Sequence, residues 1–186
     1  MGYRINVRNC KRAAVTVNNS TTYTIDTPVA MPTLRNIDLA LTSATGELYG
    51  DGELVAKRSK LTGATLKFGI DKLTQADQAA LLGYTVSAKG VMAVKTTDTP
   101  AETAIYFEVE LDNGGYEAVW LLVGKADPVN LTAQQAESNI TFSTDEITMN
   151  FVRREKDKEL LAWADTDNSN FNAAAQTAFA SGPDIA

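Results

Sequence analysis

The sequence predicts a mainly β chain: a β-sandwich or barrel with one short flanking α-helix, a long projecting hairpin and a C-terminal helix. Three observations predict it. Apolar and polar residues alternate through many short segments, the two-residue period of half-buried strands. A single mid-chain stretch, Leu73–Tyr84 (LTQADQAALLGY), changes to helical spacing. A charge-dense stretch, Ser43–Lys60, separates two of the strand patterns. A chain of 186 residues fills one core and leaves little room for a second. Residues 1–165 therefore read as one β domain, with the hairpin at 43–60 and the helix at 74–83. Residues 166–186 read as a linker and a C-terminal helix or arm.

The elements follow in chain order. YRINVR sets Tyr3, Ile5 and Val7 against Arg4, Asn6 and Arg8. NIDLALT repeats the pattern with Ile37, Leu39 and Leu41, and TLKFGID with Leu66, Phe68 and Ile70. The helix starts at Thr74, an N-cap residue with Asp77 three positions on, and stops at Gly83, which tolerates the left-handed conformation. Ala76, Ala79, Ala80 and Leu82 give it a small apolar stripe suited to lying on a sheet, so it is expected to cover rather than catalyse. AIYFEVELD opposes Ile105, Phe107, Val109 and Leu111 to Tyr106, Glu108 and Glu110. Asn113-Gly114-Gly115 then supplies a hairpin turn. The partner YEAVWLLVG is apolar on both faces and predicts cover on both. NITFS and EITMNFV read as a hairpin about Thr144-Asp145, and ELLAWA as a closing strand. In FNAAAQTAFASGP, Phe171, Ala174, Ala175 and Phe179 recur at helical spacing before Gly182-Pro183 ends the run. Phe171, Ala175 and Phe179 are its docking residues, either onto their own domain or onto a neighbour.

Composition narrows the chemistry. The chain has one cysteine and no histidine, so no intrachain disulfide, Ser-His-Asp triad or Cys-His pair is available from it alone. A formal net charge of −6 disfavours a protein that grips nucleic acid, because such affinity comes mainly from cations neutralising phosphates. No secretory signal and no membrane-spanning run is visible in the sequence, so an intracellular chain is expected. DTDNSN places Asp165, Asp167 and Ser169 like the start of a calcium loop, but Asn170 and Gln176 stand where that loop needs glycine and glutamate. Glu108 and Glu110 share a strand face, a spacing two glycosidase carboxylates would suit, although solubilising charges are far commoner there. Cys10 beside Lys11 and Arg12 has neighbours that lower a thiol pKa, but no partner thiol or histidine. No catalytic, cofactor or metal site is assigned.

Residues 43–60 are the region with most to explain. Glu47, Asp51 and Glu53 come first, then Lys57, Arg58 and Lys60, with Leu48-Tyr49 between strands. A solvated hairpin is one reading. A projecting hairpin, acidic on one flank and basic on the other, also suits contact with a second copy, and head-to-tail contacts build rings or filaments.

The segments TLRNIDLALTSATGELYGDGELV, LTQADQAALLGYTVSAKGVMAVK, AIYFEVELDNGGYEAVWLLVGKADP and SNITFSTDEITMNFVRREKDKELLAW, in that order, together resemble the major tail protein family of siphophages. The likeness covers roughly residues 20 to 180 and rests on order and spacing, with no catalytic motif. It implies a β-sandwich or barrel that assembles into hexameric rings. The rings stack as a tail tube around a tape-measure protein, between tail terminator and distal tail proteins. Double-stranded DNA passes through such a tube without specific binding. It further implies a virion protein made in the host bacterial cytoplasm, with no cofactor and no membrane. The hairpin residues Glu47, Leu48, Tyr49, Asp51, Glu53, Lys57, Arg58 and Lys60 would meet neighbouring subunits, and Glu108 and Glu110 are the candidate lumen charges. The alternatives are the tube of a phage-like particle (a tailocin or injection device) or a β-sandwich module that binds carbohydrate or a host surface. A module of that kind needs a cluster of exposed aromatics, for which only Tyr106 and Tyr116 offer themselves.

Overall fold

The computed structural model describes residues 2–31, 33–51, 53–131 and 144–184. Eleven strands account for most of them: β1 (Arg4–Asn18), β2 (Tyr23–Ile25), β3 (Val29–Ala30), β4 (Leu34–Gly50), β5 (Glu53–Ile70), β6 (Thr85–Val86), β7 (Met92–Ala93), β8 (Thr103–Leu111), β9 (Tyr116–Ala126), β10 (Asp145–Val152) and β11 (Leu161–Asp165). All but β6 and β7 join one antiparallel sheet, ordered β2-β1-β8-β9-β10-β5-β4, with β11 on β9 and β3 on β1. NITFS, expected to form a hairpin with β10, lies outside the described residues.

The sheet curls on itself, so the expected two-layer burial arises from one sheet with two cores. On the concave side, Cys10 of β1 shares a cluster with Leu66 and Phe68 of β5, Ile105 and Phe107 of β8, and Met149 and Phe151 of β10. On the convex side, Tyr106 and Trp120 pack with Phe171 and Phe179. Strand alternation sorts neighbouring residues between these cores: Val119 and Leu121 point inward, Trp120 and Leu122 outward. The doubly apolar β9 is thereby covered on both faces, as its sequence predicts. Tyr106, expected on a polar face, is instead buried at 1% exposure, because the C-terminal helix covers it. Glycine is required at position 124, where the Phe151 ring occupies the space a Cβ would take.

The sequence reads β1 only as far as Arg8, but the strand continues to Asn18. Asn9 has φ 53°, and the pairing with β8 shifts register between Arg8 and Lys11, the signature of a β-bulge. The bulge inverts the alternation: Val7 faces the concave core before it, Cys10 after it, and Ala13 the convex core. Tyr3 and Ile5, expected on a buried face, are 80% and 63% exposed, since among the described residues no strand covers that end of the concave side.

The short helix α1 (Gln75–Leu82) forms where predicted. The Thr74 hydroxyl accepts from the Asp77 amide at 3.1 Å, and Gly83 ends the helix in the left-handed region at φ 74°. Its buried face differs from the alanine stripe: Asp77, Leu81 and Leu82 are buried and Ala76 is exposed. Leu73, Leu81 and Leu82 plug the concave core, while the Asp77 carboxylate accepts from Arg12 Nε at 2.8 Å. An ion pair thus joins the helix to β1, which a purely apolar stripe would not do.

The second helix, α2 (Ala173–Phe179), docks on its own sheet. Asn172 caps it through the Ala174 and Ala175 amides. Phe171 and Phe179 are buried, with Ala175 partly buried beside them. The Trp120 indole N–H donates to the Phe179 carbonyl at 2.6 Å. Each buried phenylalanine contributes about 1.5–3 kcal/mol of apolar transfer. Beyond the helix, Arg154 is 3% exposed and donates to Asp157, Glu159 and Asp184, lying over the Tyr23 ring. Residues 166–184 therefore belong to the domain rather than trailing from it.

Candidate functional site

The β4–β5 hairpin is built by one ladder from Leu34↔Ile70 to Gly50↔Glu53, with register shifts between Leu34 and Asn36, Thr42 and Ser43, and Leu48 and Tyr49. Its base is anchored, because β10 pairs with β5 over Ala64–Ile70. Past Gly63, neither strand has any other partner among the described residues, and residues 43–49 are all exposed. Residues 43 to 50 at ~3.3 Å per residue give a reach of about 25 Å beyond the sheet. Four apolar side chains crowd the tip: Leu48 is 62% exposed, Tyr49 63%, Leu54 49% and Val55 64%.

The charges segregate along the shaft rather than between its flanks. Glu47 opposes Lys57 in register and bonds it at 2.7 Å. That bond, with a second from Tyr49 Oη, holds the Glu47 carboxyl below its ordinary range. Two charges expected to face a neighbour therefore satisfy each other within the hairpin. Asp51 and Glu53 at the tip, and Arg58 and Lys60 lower down, have no ion pair among the described residues.

A feature the sequence reading missed lies on the concave side. The edges of β1 and β4 approach each other without pairing, leaving a groove of about 730 Å³. Its floor is Phe107, Val109 and Val119, and its lip carries Ile5, Leu41 and Trp163. Leu41 is 56% and Trp163 55% exposed. Arg4 stacks over the Trp163 ring at 5.3 Å and bonds Glu117 at 2.7 Å. Arg35, on the opposite lip, reaches Asp71 only at 3.5 Å. The alternation in YRINVR and NIDLALT marked these apolar residues, but nothing in either segment shows that the two strands lie across from each other with no strand between them.

Glu108 and Glu110 share the convex face, as expected, but neither is a free surface charge. Glu108 is buried and accepts from Arg8 Nε at 2.9 Å, Asn9 Nδ2 at 2.7 Å and Tyr106 Oη at 2.7 Å. Glu110 accepts from Arg8 at 3.0 Å and Asn6 at 3.2 Å. The bulge at Asn9 brings these donors over the pair. Burial and the bond to Glu108 raise the Tyr106 phenol well above its ordinary value. The pair thus neutralises Arg8 and ties β1 to β8, so it suits neither a glycosidase pair nor a charged wall.

A different polar face is available. On the side of β4, β5 and β10 away from the concave core stand Asp38, Thr65, Lys67, Glu146, Thr148 and Asn150, neighbours in the ladders. None of these strands contributes to the convex apolar cluster, so this face carries no apolar cover among the described residues.

The remaining candidates are structural. Asp165 and Asn168 accept the Asp167 and Asn170 amides, shaping a turn before α2. Cys10 is buried against Met31. Burial, with the Asp77 charge behind it, pushes its thiol up to about 12, opposite to the lowering that Lys11 and Arg12 suggest. Lys11 in fact points the other way, over the Tyr106 ring at 5.2 Å. Among the described residues no helix is long and apolar enough to cross a membrane. Compared with known families and with curated proteins, the chain matches no family model and no curated protein.

Proposed function

We propose that this chain is a structural subunit, not an enzyme, which assembles with itself into hexameric rings that stack as the tail tube of a long non-contractile phage tail. One observation carries the reading. The β4–β5 hairpin extends about 25 Å past its sheet with unpaired strand edges and an apolar tip, exposed Leu48, Tyr49, Leu54 and Val55. A monomer gains nothing from exposing such an element, and long exposed apolar edges invite pairing. The order of the sequence segments that resemble siphophage major tail proteins supports the same assignment. On this reading the subunit is made in the host bacterial cytoplasm and resides in the virion. It surrounds a tape-measure protein and meets tail terminator and distal tail proteins at the tube ends. The polar face of β4, β5 and β10 is the surface suited to line a lumen, since it offers hydroxyl, amide and mixed charged groups rather than a cationic stripe that would hold DNA.

Negative-stain microscopy of the concentrated pure protein tests the proposal. Rings or tubes of uniform diameter are the expected result. Light scattering that stays at the 20.0 kDa monomer at every concentration, and with a tape-measure partner present, would overturn it.

A further inference from the structure

We propose that the groove between β1 and β4 is the receptor for the β4–β5 hairpin tip of a second copy. The inference rests on the self-assembly reading and goes beyond it by naming the two surfaces that meet. The groove exposes Ile5, Leu41 and Trp163 at its lip. The tip exposes Leu48, Tyr49, Leu54 and Val55. Bringing the two together removes apolar surface on both partners from water.

Charge agrees with the pairing. The tip carries Asp51 and Glu53, neither in an ion pair among the described residues, whereas the groove is lined by Arg4 and Arg35 together with Asp38 and Glu117; Glu117 already holds Arg4 at 2.7 Å, which leaves Arg35 as the cation open to the tip. Arg35 holds Asp71 only at 3.5 Å, with both side chains about half exposed, so it is able to exchange that contact for a tip carboxylate. Arg4 already stacks on Trp163 and would extend that contact over an incoming side chain.

Geometry makes the contact intermolecular. β4 is one wall of the groove and, continued, one strand of the hairpin. The ladder keeps pairing from groove to tip, so the tip stands about 25 Å beyond its own groove. Tip and groove are different surfaces, and the contact is therefore head-to-tail. It repeats from copy to copy, around a ring or from one ring to the next.

The two tryptophans allow a direct reading. Trp120 has no exposed surface and Trp163 is 55% exposed, so acrylamide quenching of the monomer reports Trp163. Assembly of the unmodified protein should protect that emission. Leu54→Ser with Val55→Ser should raise the concentration needed for assembly roughly ten-fold or more and leave Trp163 quenchable, with unchanged circular dichroism. In a mixture of a Leu41→Cys chain and a Leu54→Cys chain, mild oxidation should give a disulfide dimer that neither chain gives alone; buried Cys10 does not compete. If assemblies form while Trp163 stays fully quenchable and the mixed disulfide is absent, the groove holds something other than the tip. This proposal then fails and self-assembly stands. If the protein never associates, both fail.

Discussion

At Trp120 an indole with no exposed surface packs against Tyr106, ring centroids 5.2 Å apart, and donates to the Phe179 carbonyl at 2.6 Å. Phe179 therefore contributes a ring to the convex core and a carbonyl that satisfies the buried N–H. Truncating Phe179→Ala should destabilise the fold by about 3–5 kcal/mol, read as a lower urea midpoint, with Trp120 emission shifting red in the native baseline. A different residue-scale test concerns Cys10. With its thiol pushed up to about 12 by burial, it should resist alkylation at pH 8 in the folded protein and react promptly in urea. Native labelling as fast as the unfolded rate would mean that the β1–α1 contact opens readily. Acid should loosen the C-terminus first. Bonds from Arg154 hold the Asp157 carboxyl below 3.8, and at Asp184 bonds from Arg154 and Lys156 outweigh the opposing effect of burial. A carboxyl whose native pKa is depressed contributes stability that is complete above the unfolded value, here 3.8, and is lost as pH falls through the native one. Protection factors at residues 180–184, with the intrinsic pH dependence of amide exchange divided out, should fall below about pH 3.8 and stay level between pH 5 and 8.

At the scale of elements, the hairpin and the two helices were legible in the sequence because each carries its own local signal. Thr74 and Gly83 bracket α1 with a cap at each end. The phenylalanines at 171 and 179 are spaced for one face of α2, and charge marks the shaft between β4 and β5. What escaped depends on contacts distant in sequence. The bulge at Asn9 inverts the alternation of β1, so Lys11 to Asn18 no longer continue the pattern of Tyr3 to Val7. Glu108 reads as an exposed strand charge until β1 lays Arg8 and Asn9 against it. The groove exists only because β1 and β4, separated by four other strands in the order of the sheet, become facing edges. Residues 46–60 lie outside both cores, so replacing them with a short Gly-Ser turn should leave the urea midpoint within experimental scatter while abolishing assembly. Retained tubes would move the assembly role elsewhere on the subunit. Reversing Lys57 alone should be milder, because it breaks one exposed pair that solvent and salt already screen.

For the whole molecule, the decisive asymmetry lies in how the two faces of one sheet are used. The half built from β1, β8 and β9 hides its convex side beneath α2, and the half built from β4, β5 and β10 leaves that side polar and, among the described residues, open. If six copies close a ring with the open half inward, the wall presents threonine, asparagine and mixed charge. Asp38 faces Lys67 across the ladder, and Glu146 stands near them. Such a wall offers DNA no run of cations, and the −6 net charge of each subunit adds a weak repulsion. The pair Glu108 and Glu110 is a poor place to test this, since reversing Glu108 would bury a lysine beside Arg8 and unfold β1 before it changed any wall. Glu146→Lys is the cleaner variant: its side chain is exposed, makes no ion pair among the described residues and lies outside the β1/β4 groove. The subunit should fold and assemble as before. Each wall now gains one cation per subunit in place of one anion. Assembled tubes should then bind duplex DNA at low salt and release it steeply as salt rises, because counterion release drives the association. Unmodified tubes should not bind under the same conditions. An anisotropy titration at two salt concentrations separates the outcomes. Tight binding by unmodified tubes would refute the conduit, and a reversed variant that remains inert would place the open face of β4, β5 and β10 on the outside of the assembly.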